Sequence, residues 1–166
     1  MSAGGTLNGV AFRSVLECDL VELRTLHENF FPVRYSQKFY ESACKGIGLR
    51  GLPLYSIIAT KEDRIVGFLL SQFLPLSQAE DRGVIDIFSK SKMTSETEVM
   101  YILTLGCVPE IRHLGLASTM VRMCEDHCLS SPRCGAIYLH VIGSNEAAIG
   151  FYEKNGFLFY RQRKGS

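Results

Sequence analysis

The sequence predicts an α/β fold, a mixed central sheet with helices packed against it. Three observations predict it. Residues 54–60 and 65–73 read as two strands joined by the polar turn Lys61-Glu62-Asp63-Arg64, as in a hairpin. The second half runs strand, helix, strand, helix, strand, which implies a mixed sheet with packed helices. No repeat, low-complexity tract or second domain interrupts the chain, so 1–166 reads as one domain.

The elements follow in order. Residues 1–8 are small and polar and are expected to fray. Residues 10–15 alternate like a strand. Asp19 is a candidate N-cap, with Leu20, Leu23 and Leu26 at helical spacing behind it. That helix should end near Asn29, because Pro32 disfavours helix just before itself. Ser36 can cap a short helix carrying Phe39 and Tyr40, closed by Gly46 and Gly48. Residues 75–98 are polar and mixed and read as a long loop. Residues 99–108 form the strongest strand candidate. A helix over about 115–128, a strand over 137–141, a helix over 145–154 ended by Asn155-Gly156, and the start of a last strand at 157–160 complete the chain.

Bulk properties exclude several function classes. The chain is 46% hydrophobic and 21% charged, ordinary for a globular protein. Lys plus Arg is 18 against 17 for Asp plus Glu. A net charge of +1 gives no reason to expect nucleic acid or a membrane surface as the main partner. No stretch reads as a signal peptide or membrane span, so the expected location is cytoplasmic. The six cysteines are not spaced as a secreted disulfide framework, so free thiols are expected. Cys124, His127, Cys128 and Cys134 do not match a zinc-ribbon or finger pattern, and no metal is expected.

The chemistry concentrates after residue 100. A strand ending in Leu105-Gly106-Cys107-Val108 leads through Pro109-Glu110-Ile111 to Arg112-His113-Leu114-Gly115-Leu116-Ala117-Ser118, which opens a helix. Small residues let a ligand approach the backbone, and free N–H groups at a helix start favour an anion. Arg112 adds positive charge. A pyrophosphate suits this segment, although a glycine chosen only for the turn would look the same. Further on stand Tyr138-Leu139-His140-Val141 and Asn145-x6-Tyr152-Glu153-Lys154-Asn155-Gly156-Phe157.

Arg112 to Ala117 resembles the acyl-CoA pyrophosphate motif of the GCN5-related N-acetyltransferase (GNAT) superfamily, and Asn145 to Phe157 resembles its next block. Phe31-Pro32-Val33-Arg34-Tyr35 is similar to the substrate loop of N-alpha-acetyltransferases of the NatE and NatF types. Tyr101-Ile102-Leu103-Thr104-Leu105-Gly106 and Tyr138 to Val141 are similar to their two catalytic strands. The extended 75–98 connection favours NatF, and Leu105-Gly106-Cys107 is closer to NatE.

The resemblance implies an acetyl-CoA-dependent transfer to the free N-terminal amine of polypeptides, Met-starting chains above all. It assigns Tyr101 and His140 as a catalytic pair acting through ordered water. It places acetyl-CoA against Leu105, Gly106, Cys107, 112–118, Asn145, Tyr152, Glu153, Lys154 and Asn155. The Leu105 N–H would polarise the thioester carbonyl, and the Tyr152 phenol would meet the departing sulfur. Phe31, Pro32, Tyr35 and Leu103 would wall the peptide.

Chemistry is compatible with these roles. An α-amine has a pKa of about 7.7–8.0 against about 10.4 for lysine, so it is neutral far more often at neutral pH. Histidine titrates near working pH and suits a proton acceptor. Bland alternatives stand beside each residue: His140 satisfied by a carbonyl, Tyr101 as strand packing, Asn145 as an N-cap, and Phe31, Pro32 and Tyr35 as a proline-ended helix with core aromatics.

Lysine or histone acetyltransferase and a weak CoA-binding module are the competing readings. The family normally continues past residue 160 into a hairpin and a final strand, so the last strand is expected to be lacking. NatF-type enzymes sit on the cytosolic face of the Golgi, which transfers here only by analogy. The sequence leaves the oligomeric state open.

Overall fold

In the computed structural model, residues 6–79, 97–112 and 114–159 are described. The centre of the expected 75–98 loop, His113 and Tyr160 lie outside them.

Among the described residues the strands form one six-stranded sheet in chain order: β1 (Thr6–Leu7), β2 (Val10–Arg13), β3 (Leu54–Lys61), β4 (Arg64–Pro75), β5 (Glu98–Cys107) and β6 (Cys134–Tyr138). The pairs from β1 to β5 are antiparallel, and β5–β6 is parallel. Four α-helices accompany it among the described residues: α1 (Leu20–Phe30), α2 (Gln37–Cys44), α3 (Leu116–Leu129) and α4 (Glu146–Lys154). The β3–β4 turn places Glu62 and Asp63 at φ 51 and 61, the left-handed pair that a two-residue hairpin requires.

Alternation along the strands separates two cores. Ile57, Ala59, Leu69, Met100 and Ile102 face α3 and its Leu116, Met120, Val121 and Cys124. Ile58 and Phe68 face the other way, against Leu23 of α1. Leu70 meets Phe39 and Tyr40 of α2 on that same face. The Glu22 carboxylate accepts the Ile65 N–H at 2.6 Å, which ties α1 to the start of β4.

Local chemistry corrects several expectations. Thr6–Leu7, inside the stretch expected to fray, pairs with Val10–Ala11. The 10–15 strand stops at Arg13. Asp19 precedes α1 but makes no side-chain cap there. Its carboxylate is taken by the Arg13 guanidinium, at 2.7 and 2.8 Å, and by the Leu16 N–H at 2.7 Å. Ser36 does cap α2, accepting the Phe39 N–H.

The strand expected at 137–141 lies earlier, at Cys134–Tyr138, so His140 stands beyond its end. Gly135 hid the start of that strand from a reading by apolar pattern. Residues 157–159 form no strand. Gly156, at φ 91, turns the chain so that the Phe157 N–H bonds the Tyr152 carbonyl and the Gly156 N–H bonds Glu153. This Schellman closure of α4 also brings Phe157 against the Tyr152 ring at 5.4 Å.

Free thiols were expected throughout, but Cys128 and Cys134 form a disulfide. They are six residues apart, and the turn from α3 into β6 brings their Cα atoms to 5.8 Å. Cys18, Cys44, Cys107 and Cys124 are free.

Candidate active site

Two features of β5 create the site. The β4–β5 register passes from Leu70↔Thr104 to Ser71↔Ile102 and skips Leu103. Leu103 is therefore the extra residue of a bulge, which bends the strand. The parallel ladder to β6 ends at Tyr101↔Tyr138. Residues 102–107 of β5 then have a strand neighbour on the β4 side alone among the described residues. The second edge of β5 opens onto a cleft.

On one side of that opening lies a cavity of about 240 Å³. Leu105, Gly106, Cys107, Arg112, Ala117 and Tyr152, all expected against acetyl-CoA, line it, and so does Phe31, which was expected in the peptide wall. Phe30, Ala148 and Phe151 line it too and were missed. Phe30 is the last residue of α1, where it reads as one more core aromatic. Ala148 stands one turn before Tyr152 on α4, a spacing that could have pointed to it, and Phe151 adjoins Tyr152 in sequence.

The wall of this cavity is built from strict local demands. Gly106 lies so close to the aromatics that an added Cβ would sit 2.9 Å from the Phe68 ring and 3.0 Å from Phe30. Gly115 precedes α3 at φ 77, with open space around it. Glycine is needed there for its conformation rather than for room. The Arg112 Nε donates to the Cys107 carbonyl at 3.2 Å, and its guanidinium lies 5.5 Å over the Phe30 ring.

Burial pushes the Tyr152 phenol up to about 12, with a small push from Cys124. A phenol so weakly acidic stays protonated at neutral pH and can donate a hydrogen bond. Full transfer to an ordinary thiolate, whose pKa is about 8.5, would run uphill. Burial also raises the Cys107 thiol, against the pull of Arg112.

Other residues expected against acetyl-CoA lie outside this cavity's lining. Leu116 is 2% exposed and belongs to the core. Leu114 is exposed, as are Glu153 and Lys154. Asn145 accepts the Ala148 N–H at 3.1 Å, so its side chain caps α4, the plainer of its two readings. Asn155 donates to the Phe151 carbonyl at 2.8 Å. Ser118 lies on the first turn of α3 beyond the cavity lining.

The point where β5 and β6 part carries a second group. The Tyr101 hydroxyl and His140 Nδ1 share a hydrogen bond of 3.0 Å. Tyr138 completes the cluster, its ring 4.8 Å from Tyr101 and 5.9 Å from His140. Leu103 packs with Tyr35 on the Phe39–Tyr40–Leu70 cluster. Tyr35 stacks on Phe39 at 4.4 Å, and Phe31 lies 4.8 Å from His27. Pro32 is exposed between them. Among the described residues no group of His, Cys, Asp and Glu could hold a metal ion, and no helix is long and apolar enough to cross a membrane.

Comparison with known proteins gives a consistent result. The histone acetyltransferase MCC1 of Arabidopsis thaliana is 27% identical over 94% of the chain, and N-alpha-acetyltransferase 60 of Danio rerio is 28% identical over 91%. The chain spans 63% and 60% of those relatives. N-alpha-acetyltransferase 50 of Danio rerio is 31% identical over 88% of the chain and 73% of its own length. Arabidopsis NAA60 in complex with acetyl-CoA matches with a TM-score of 0.80 at 28% identity, over 92% of this chain and 86% of that one. Arabidopsis Naa50 bound to the bisubstrate analogue CoA-Ac-MVNAL matches with a TM-score of 0.65 at 29% identity, over 89% and 82%. A family model described as Acetyltransferase (GNAT) family matches residues 20–157, and the chain belongs to that family.

Proposed function

We propose that this chain transfers an acetyl group from acetyl-CoA to the free N-terminal amine of polypeptides, Met-starting chains among them. The observation that carries the reading is the Tyr101–His140 hydrogen bond, held across the opening where β5 and β6 part. The cavity with Arg112 takes its floor from Leu105, Gly106 and Cys107, farther along the same strand.

The residues divide the work. Arg112 and the α3 N-terminus supply positive charge for a pyrophosphate. The opened edge of β5 near Leu105 offers N–H groups to a thioester carbonyl. His140 accepts the proton of the amine, with Tyr101 fixing the imidazole. Tyr152 donates a hydrogen bond to the departing thiolate. Phe31, Pro32, Tyr35 and Leu103 wall the first peptide residues.

The match to a histone acetyltransferase supports a second reading, in which the acceptor is a lysine amine. One experiment separates the two. Acetyl-CoA is supplied with peptides carrying a free α-amine, and with the same sequences blocked at the N-terminus but holding a free lysine. The proposal expects kcat/KM to favour the α-amine. It also expects His140→Ala to lower kcat by about 10²–10⁴-fold with CoA affinity retained. Preference for blocked, lysine-bearing peptides would establish the second reading instead.

A further inference from the structure

The α1 helix ends in two adjacent aromatics that face different tasks. Phe31 joins the His27 cluster. Phe30 instead stacks on Phe68, with ring centroids 6.1 Å apart and planes at 18°. Its other neighbours are the bare Cα of Gly106 and the Arg112 guanidinium.

Arg112 is exposed and follows the 3-10 turn Pro109–Ile111. A long exposed side chain there would sample many rotamers. Two contacts restrict it. Its Nε donates to the Cys107 carbonyl, and its guanidinium carbon lies 5.5 Å over the Phe30 centroid. Arginine stacks on an aromatic face while keeping its outer N–H donors free. Both Arg112 and Phe30 line the cavity.

We infer that Phe30 is a positioning residue for the anion-binding arginine: its ring holds the Arg112 guanidinium over the cavity, ready for the pyrophosphate of acetyl-CoA. The inference rests on the acetyl-CoA reading proposed above. The ring is itself fixed by Phe68 and by the absence of a side chain at Gly106. Hydrogen bonding to Cys107 sets where the guanidinium starts, and the Phe30 ring limits how far it swings from there.

The test uses the full chain with Phe30→Leu and Phe30→Met, which remove the π face and keep apolar volume. Melting curves confirm folding, and two variants guard against failure of either. Calorimetry should show the CoA Kd raised about fivefold, since a cation–π contact is worth roughly 1 kcal/mol at a partly exposed site. In an Arg112→Gln background the same substitutions should add less than twofold. Turnover separates positioning from general damage. S-acetylpantetheine carries the thioester without the pyrophosphate, so the ratio of kcat/KM for acetyl-CoA to that for S-acetylpantetheine should fall about fivefold. An unchanged ratio, or an undiminished effect without Arg112, would overturn the role of Phe30 while leaving acetyl-CoA binding in place. No CoA binding by the unsubstituted chain would remove the proposed function and this inference together.

Discussion

The imidazole of His27 is fully buried, ringed by Phe31, Tyr35, Phe39, Tyr40 and Phe68 at centroid distances of 4.8 to 6.5 Å. Its Nδ1 shares a hydrogen bond of 3.1 Å with the Tyr40 hydroxyl. Burial pushes its pKa down to about 4, and the negative charge of Glu28 pulls weakly the other way. The unfolded chain protonates this histidine near its ordinary value of about 6.5. Below that pH the unfolded state binds a proton that the folded state refuses, so stability falls as pH drops from about 6.5 to about 4, then levels. The loss amounts to roughly 3 kcal/mol. Urea unfolding at pH 7, 5.5 and 4 should show it, and His27→Phe should flatten the dependence. His127, also lowered by burial, adds a smaller slope of the same sign that the variant retains. A pH dependence equal in both proteins would mean that His27 is not its source.

At the level of elements, α3 begins under a single conformational demand. Gly115 needs φ 77, and a Cβ there would meet nothing within 4 Å. Gly115→Ala should therefore cost about 1 kcal/mol through backbone strain alone. Gly115→Asn should cost less, because asparagine tolerates the left-handed region. Thermal melting of the two variants checks the order, and a larger loss for Asn would show that space is the constraint. The glycine was legible in the sequence because its neighbours at 112 and 117 carry the same motif. So were β3, β4 and β5, whose apolar runs are long. The end of β6 was not, since nothing in Tyr138-Leu139-His140 marks where the parallel ladder stops. The bulge at Leu103 was hidden for a related reason: register is a property of two strands and no single run of residues records it. Phe157 misled because an aromatic after Asn-Gly serves a strand start and a helix closure equally well. The Cys128–Cys134 pair was missed because six-residue spacing says nothing until the turn between α3 and β6 is known.

For the molecule as a whole, β4 is the element most completely enclosed. It has β3 and β5 on its edges, α3 on one face, and α1 and α2 on the other. Residues 67–72 are all buried. Amide exchange in such segments requires global opening, whereas edges and short strands open locally. Hydrogen exchange read by mass spectrometry should find β4 slowest, with β1 and β6 at least tenfold faster. Equal protection in β6 would show that its outer edge is held by something beyond the described residues. The parting of β5 and β6 after Tyr101↔Tyr138 has a consequence of a different kind. It leaves Arg112 in the lining of the cavity and Pro32 and Tyr35 outside that lining, with Phe31 between the two groups. On the proposed function, substitutions at Pro32 and Tyr35 would alter the acceptor side and leave the cavity lining unchanged. If that function holds, such an architecture would let a lineage change whom it modifies without relearning how to hold the group it gives.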